Sequence, residues 1–260
     1  MKKYFFKNIL RTVYKFYIIF KKEYYFNLYK YIIDVFRFIK EYRIFLKDKN
    51  PKFKISINYI FPCLKDKTEK TSVEPIYFFQ DTWAAKKIFE ANPKHHYDIG
   101  SEVKTIGIIS QFVPTTMIDI RPIDISLDNL FFMKGSILKL PFKNNSIESL
   151  SSLCVVEHIG LGRYGDNIDS RGSEKAIAEL KRVLKDGGGN LYFSVPVDCE
   201  CRVYFNAHRA FTRSYILELF NDLKLIEEKY IYGKKMYDNY DKSRGFGTGL
   251  FHFCKNKHKQ

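Results

Sequence analysis

Residues 135–196 open with GSILKLPFKNNSIESL (135–150), continue through SSLCVVEHIG (151–160) and close with ELKRVLKDGGGNLYFSVP (179–196). Short apolar runs bounded by turn residues are buried strands, and apolar residues three and four apart mark a helix. The segment therefore reads as a loop, a buried strand, a helix start, an amphipathic helix, a glycine turn and a second buried strand. That order is the back half of a nucleotide-type α/β domain.

The same alternation extends outward in both directions. Upstream, HYDIG (96–100) is a short strand ending in Gly100, and residues 101–112 suit a helix with Ser101 as N-cap. MIDI (117–120) and residues 130–133 give two more strands. Residues 149–154 form the fourth strand, 173–184 a helix, 191–195 the fifth strand and 214–221 a helix. Residues 223–232 and 247–254 form a closing pair joined by a turn-rich loop, which places one antiparallel strand in the sheet. The expected fold class is α/β: a Rossmann-like, seven-stranded, mostly parallel sheet with helices on both faces, plus an N-terminal helical extension.

The extension is residues 1–50. It carries ten Lys and three Arg against four acidic residues, so +9 of the chain's +15 sits there, with sixteen aromatic residues. Apolar positions recur at helical spacing, as at Ile9, Val13, Phe16 and Phe20 and again at Ile32, Val35, Phe36 and Ile39. A basic, aromatic, amphipathic arm suits an anionic membrane surface reached through residues 1–47. An ordinary helix packed on the main domain, in a chain rich throughout in Lys, Phe, Tyr, Ile and Asn, is the competing reading. Residues 51–79, with their prolines and the KDKTEK run, read as a linker, and 80–260 as the α/β domain, beginning with a helix from Gln80 to Ala91 that holds Trp83.

No uncharged run approaches the ~18–20 residues a spanning helix needs, and Lys7, Arg11 and Lys15 interrupt the apolar start. A cytoplasmic protein is expected, peripheral on the inner face of the membrane. Five scattered cysteines fit a reducing compartment. Cys199 and Cys201 form a CxC upstream of His208 but lack a second close pair, so no metal is expected. Nucleic acid is not expected as a partner, because the basic excess lies outside the α/β domain. The oligomeric state is not legible.

The ordered motifs resemble those of the class I S-adenosylmethionine (SAM)-dependent methyltransferases, especially the type 11-like group with a Leu-Pro-Phe loop. Asp98-Ile99-Gly100 is similar to the acidic-x-glycine end of that family's first strand, and Asp119 to the acid after its second strand. Gly135 to Phe142 resembles the adenine loop, with Ser136 in place of the usual acid. Val155-Val156-Glu157-His158-Ile159 resembles the segment after the fourth strand, and Glu179 to Gly188 the helix and turn before the fifth. More narrowly, EHIGLGRYGDNIDSRGSEKA (157–176) and FNAHR (205–209) are similar to a little-characterised methyltransferase-like domain family of unknown function. Some of its bacterial members resemble surface-polysaccharide biosynthesis proteins.

The resemblance implies SAM as cofactor, held by Asp98, Gly100, Ser101, Asp119, Ile120, Ser136 and Ile137. It implies catalytic candidates His158, Glu157 and His208. Arg163, Asp166, Asn206 and Arg209 are the substrate-binding candidates, on a polar loop over the strand ends, for a small-molecule, sugar or lipid-linked glycan acceptor. The series after Asp98 departs from the family: Glu102 and Lys104 stand where further glycines are usual. This motivates the alternative of a catalytically inactive methyltransferase-like protein that binds a partner or a membrane.

Overall fold

The computed structural model describes residues 28–47, 50, 52–64, 66–121 and 123–256. The helical periods expected before residue 28 lie outside them. The chain divides into two compact units, Met1–Ser72 and Val73–Gln260.

In the first unit residues 28–45 are helical (α1). Ile32, Phe36 and Ile39 lie exposed, while Asp34 is buried and paired with Arg37. Arg37 also donates to the Leu64 carbonyl at 2.8 Å, and Lys67 pairs with Glu41 at 2.8 Å. Much of the expected linker is thus tied back to α1, with a single 3-10 turn at Ile57–Tyr59.

The second unit starts with α2, Pro75–Ala91. This corrects the expected start at Gln80. Pro75 is a breaker inside a helix but fits its first turn, where no N–H is needed. The Glu74 side chain caps that turn by accepting from the Tyr77 N–H at 2.7 Å. There follow β1 (His96–Ile99), α3 (Val103–Ile109), β2 (Thr115–Asp119), β3 (Leu130–Lys134), β4 (Ser149–Leu153), α4 (Gly172–Val183) and β5 (Asn190–Val197). The chain ends with β6 (Arg202–Tyr204), β7 (His208–Ala210), α5 (Arg213–Leu219), β8 (Lys224–Tyr232), β9 (Lys235–Tyr237) and β10 (Gly247–Cys254).

The main sheet has eight strands in the order β3-β2-β1-β4-β5-β10-β8-β9. The expected seven are present; the eighth, β9, forms inside the loop between the last two, turning back on β8 through Gly233 at φ +59°. The first five strands are parallel, and β10 runs antiparallel to both β5 and β8. A separate two-stranded ribbon, β6–β7, was not anticipated.

Buried side chains alternate between the two faces of the sheet, as a strand's period of two requires. Ile118, Leu150, Phe193 and Phe251 pack in one core with Ile177, Leu180 and Ile216 of α4 and α5. Met117, Leu153, Tyr192 and Leu250 pack in the other with Trp83, Ile88, Ile106 and Ile109 of α2 and α3. Trp83 is thereby a core residue, edge-on to Tyr192.

Candidate functional site

Chain order reverses between β1 and β4, and in an open parallel sheet ligands bind outside the strand carboxyl ends at such a point. A pocket lies there, lined by Gly100, Asp119, Ile120, Arg121, Ser136, Ile137, Leu138, Cys154, Val155, His158, Tyr164 and Asp166 among others.

One wall is backbone and buried polar structure. Gly100 leaves β1 at φ +68°, where a Cβ would stand 3.3 Å from Val155 and 3.7 Å from the Asp119 carboxylate. Asp98 and Ser101 are buried and do not line the pocket. Asp98 accepts from the Ser101 N–H (3.0 Å), the Ser101 hydroxyl (2.6 Å) and the Ser151 hydroxyl (2.5 Å). Burial with no cation beside it pushes its pKa up to about 6, against those hydrogen bonds. Both residues shape the turn that presents Gly100. Ser101 is not the N-cap expected: its hydroxyl accepts from the Leu153 N–H, and α3 is capped by Glu102, which accepts from the Thr105 N–H at 3.1 Å. The acidic side chain that departs from the family series is therefore spent on a helix end.

Asp119 sits at the end of β2, at the pocket. It accepts from the Arg121 N–H at 2.8 Å and meets the Arg121 guanidinium at 3.4 Å. Opposite, Gly135 leaves room where a Cβ would stand 2.8 Å from Ile118. The Ser136 hydroxyl accepts from the Leu138 N–H at 3.2 Å, closing a local turn. Glu179 and Arg182 of α4 hold this loop by side-chain bonds to the Leu140 N–H and to the Leu140 and Phe142 carbonyls.

The other wall is a closed loop, residues 159–172. Its ends cross so tightly that a Cβ on Gly160 would stand 2.1 Å from the Asp169 carbonyl oxygen, and one on Gly172 2.4 Å from that of Ile159. Arg209 is buried beneath it and donates to the carbonyls of Ile159, Asp169 and Ser170 and to the Ser173 hydroxyl. Its assignment to substrate is therefore corrected: every one of those contacts is structural. Burial pushes the Asp166 pKa up, but the N–H groups of Gly160 and Tyr164 outweigh it and hold the carboxyl below its usual range. Tyr164 carries the Arg121 guanidinium over its ring at 4.7 Å, spanning the two walls.

His158 lines the pocket with its Nδ1 2.7 Å from the Ala207 carbonyl oxygen. A carbonyl carries no proton, so Nδ1 is the protonated nitrogen and Nε2 keeps its lone pair. Burial lowers the His158 pKa, opposed by that carbonyl and aided by Arg163. Glu157 is buried, does not line the pocket, and has its Oε2 unpartnered. Burial raises its pKa to about 8, so the carboxyl is neutral near pH 7. His208 and Asn206 lie on the β6–β7 ribbon next to Ala207 and do not line the pocket. Among the described residues no three metal-ligating side chains converge.

The family described as a Caenorhabditis protein of unknown function, DUF268, matches residues 138–237. No curated protein matches the chain by sequence. Among solved structures, the [4+2]-cyclase SpnF is similar over 68% of this chain and 82% of its own, at 12% identity and a TM-score of 0.51. A protein assigned as a sarcosine dimethylglycine methyltransferase from Galdieria sulphuraria is similar over 69% and 86%, at 14% identity and a TM-score of 0.50. The fold is that of the class I SAM-dependent methyltransferases. Since one neighbour's name is that of a cyclase, the fold leaves the reaction to be argued from the pocket.

Within this methyltransferase fold, Gly100, Asp119, Ile120, Ser136, Ile137, His158 and Asp166 meet at one pocket. Sequence reasoning missed Arg121, Tyr164, Cys154 and Val155 as lining residues. Arg121 follows Asp119 by two residues, within reach of its carboxylate, and that spacing was the available signal.

Proposed function

We propose that the chain is a SAM-dependent methyltransferase acting on an oxygen or nitrogen of a small, hydroxyl-bearing acceptor. The observation that carries this reading is His158 at the pocket wall, with Nδ1–H committed to Ala207 and Nε2 making no hydrogen bond, its nearest carboxylate oxygen being Glu157 Oε1 at 3.7 Å. The pocket residues fit the cofactor. Gly100 leaves a space beside Asp119 that a side chain would fill, Asp119 is the acceptor suited to two ribose hydroxyls, and Ile118, Ile120, Ile137 and Leu138 give an apolar slot for a base. Bound there, SAM supplies a methyl group already activated on a sulfonium. What remains for the protein is alignment and proton removal. His158 Nε2 takes the acceptor's proton, and because burial lowers its pKa the imidazole stays a free base below the usual histidine range.

Calorimetric titration of the full chain with S-adenosylhomocysteine (SAH) tests the reading. Saturable binding that Asp119→Ala weakens is expected; folded protein that binds neither SAM nor SAH at millimolar concentration rejects it. One observation favours a second reading, a non-catalytic binding domain: the Asp119 carboxylate is already held by Arg121. That reading expects no binding in the same titration.

The sugar or lipid-linked glycan acceptor, a role in surface polysaccharide synthesis and a cytoplasmic, inner-face membrane location belong to the same proposal. The membrane location draws on the exposed apolar side chains of residues 28–46, among them Tyr29, Ile32, Phe36 and Ile44, interleaved with Lys30, Arg37, Lys40 and Arg43. Among the described residues no helix is long and apolar enough to cross a membrane. Flotation of the full chain with anionic and zwitterionic vesicles checks the attachment. Equal recovery from both, or recovery unchanged by Phe36→Asp, rejects it.

A further inference from the structure

The acceptor side of the pocket carries more than a base. Arg163 is exposed beside His158, and its one backbone bond runs from Nη1 to the Ala207 carbonyl at 3.0 Å. No carboxylate among the described residues pairs with it, and its guanidinium lies 5.1 Å from the Tyr164 ring centre. Burial and the Arg163 charge both lower the pKa of His158 and of His208, so the imidazoles are neutral and Arg163 is the fixed positive charge among them. A guanidinium fork with no carboxylate partner, set against the pocket-lining His158 and Tyr164, matches a carboxylate or phosphate, to which it donates two parallel bonds.

Next to it is an aromatic corner. Tyr204 and His208 are 5.0 Å apart, His208 and Phe246 5.5 Å, and Tyr204 and Phe246 5.9 Å with their planes at 83°. Tyr204 is 38% and Phe246 44% exposed, so ring area that a core would cover faces solvent. The rings are held. The Tyr204 hydroxyl donates to Asp198 at 3.2 Å, and Gly247, beside Phe246, is packed so that a Cβ would stand 2.6 Å from the Ile231 carbonyl oxygen. Residues 204–208 therefore carry two of the corner's three rings and the Ala207 carbonyl that orients His158.

We propose that the acceptor is an anionic, hydroxylated six-membered ring, its anion held by Arg163 and its C–H face laid on the corner of Tyr204, His208 and Phe246. The inference rests on the methyltransferase reading. Electron-rich ring faces attract the weakly positive C–H groups of a saturated ring. Two ring planes near a right angle make no parallel sandwich for a flat base, but they offer faces to a puckered ring. Carboxylate and phosphate present the same acceptor oxygens to the fork, and separate probes distinguish them.

The experiment is calorimetry and saturation-transfer NMR on the full chain with SAH present, using D-glucuronate, D-glucose 1-phosphate and methyl β-D-glucoside. At least one anionic probe is expected to bind about tenfold or more tighter than the glucoside, as charge-assisted fork bonds require. That advantage should vanish in Arg163→Gln and fall only partly in Arg163→Lys, which keeps the charge but not the fork. Phe246→Ala should weaken all three probes and reduce saturation of their ring protons. Equal affinities for charged and neutral probes, an advantage that survives Arg163→Gln, or indifference to Phe246→Ala overturns the proposal. SAH affinity is read in the same samples: SAH bound with no anion preference sinks this inference alone, whereas loss of SAH binding sinks the methyltransferase reading.

Discussion

The two walls of the pocket are built by different means. The wall of Gly100, Asp119 and Ser136 is strand ends and tight turns, where short-range bonds such as Ser101 to Asp98 and Leu138 to Ser136 close the turns and longer ones from Ser151 and Arg182 hold them to the sheet and to α4. The wall of residues 159–172 is a loop held by long-range side-chain bonds, with Arg209 reaching residues 36 to 50 positions away. The first wall is the part a fold passes on with its backbone. The second is the part a chain can rewrite without disturbing the sheet, and the proposed function puts the choice of acceptor there.

The sharpest way to separate the walls is His158→Ala. Loss of a positioned general base typically costs about 10²–10⁴ in rate, with SAH affinity unchanged because the cofactor wall is untouched. The wild-type rate should fall with acid only below the usual histidine range, since burial lowers the His158 pKa. A variant that loses SAH binding along with turnover would mean the walls are not independent.

Arg209→Ala comes next. It leaves three carbonyls and a hydroxyl without their donor beneath a closed loop. The expected loss is on the order of 2–4 kcal/mol of stability, with hydrogen exchange rising first in residues 159–172. Uniform loss across the sheet would show that the loop is not a separate construction. Asp119→Asn, on the first wall, should weaken SAH about tenfold while leaving the melting temperature within a few degrees, because its present partner is the exposed Arg121.

The same contrast explains what could be read from the sequence. The sheet order, the Gly100 turn and the Leu-Pro-Phe loop follow from local patterns, since a glycine at φ +68° or an apolar run between turns declares itself. The motif puts Asp98 and Ser101 at the right turn and implies a contact role for them, because sequence cannot show that Ser151, fifty-three residues on, claims the Asp98 carboxylate. Arg209 looks substrate-binding in sequence for the same reason: an Arg beside a His resembles a ligand fork until the carbonyls that fill it are known. The β6–β7 ribbon went unseen because three-residue strands carry no period. The aromatic corner joins Tyr204 to Phe246 across forty-two residues.

Glu157 tests whether the walls meet electrically. Its Oε1 is 3.7 Å from His158 Nε2 and its Oε2 is buried without a partner. Burial raises its pKa to about 8 from the ordinary 4.5. Between those values the folded chain holds a proton that the unfolded chain has released, so this group's contribution to stability declines as pH rises through the window and levels off above about 8. His96 and His252, held down by burial to about 3 and about 4, act in the opposite sense and cost stability as pH falls below 6.5. Comparing wild type with Glu157→Gln cancels the histidines, which are the same in both. The amide keeps the shape and removes the ionisation. The two proteins should therefore melt together near pH 5 and diverge toward pH 9, the variant becoming the more stable and its lead levelling off above about 8. Parallel melting curves across that range would show that Glu157 ionises freely and that the floor beneath His158 is wet.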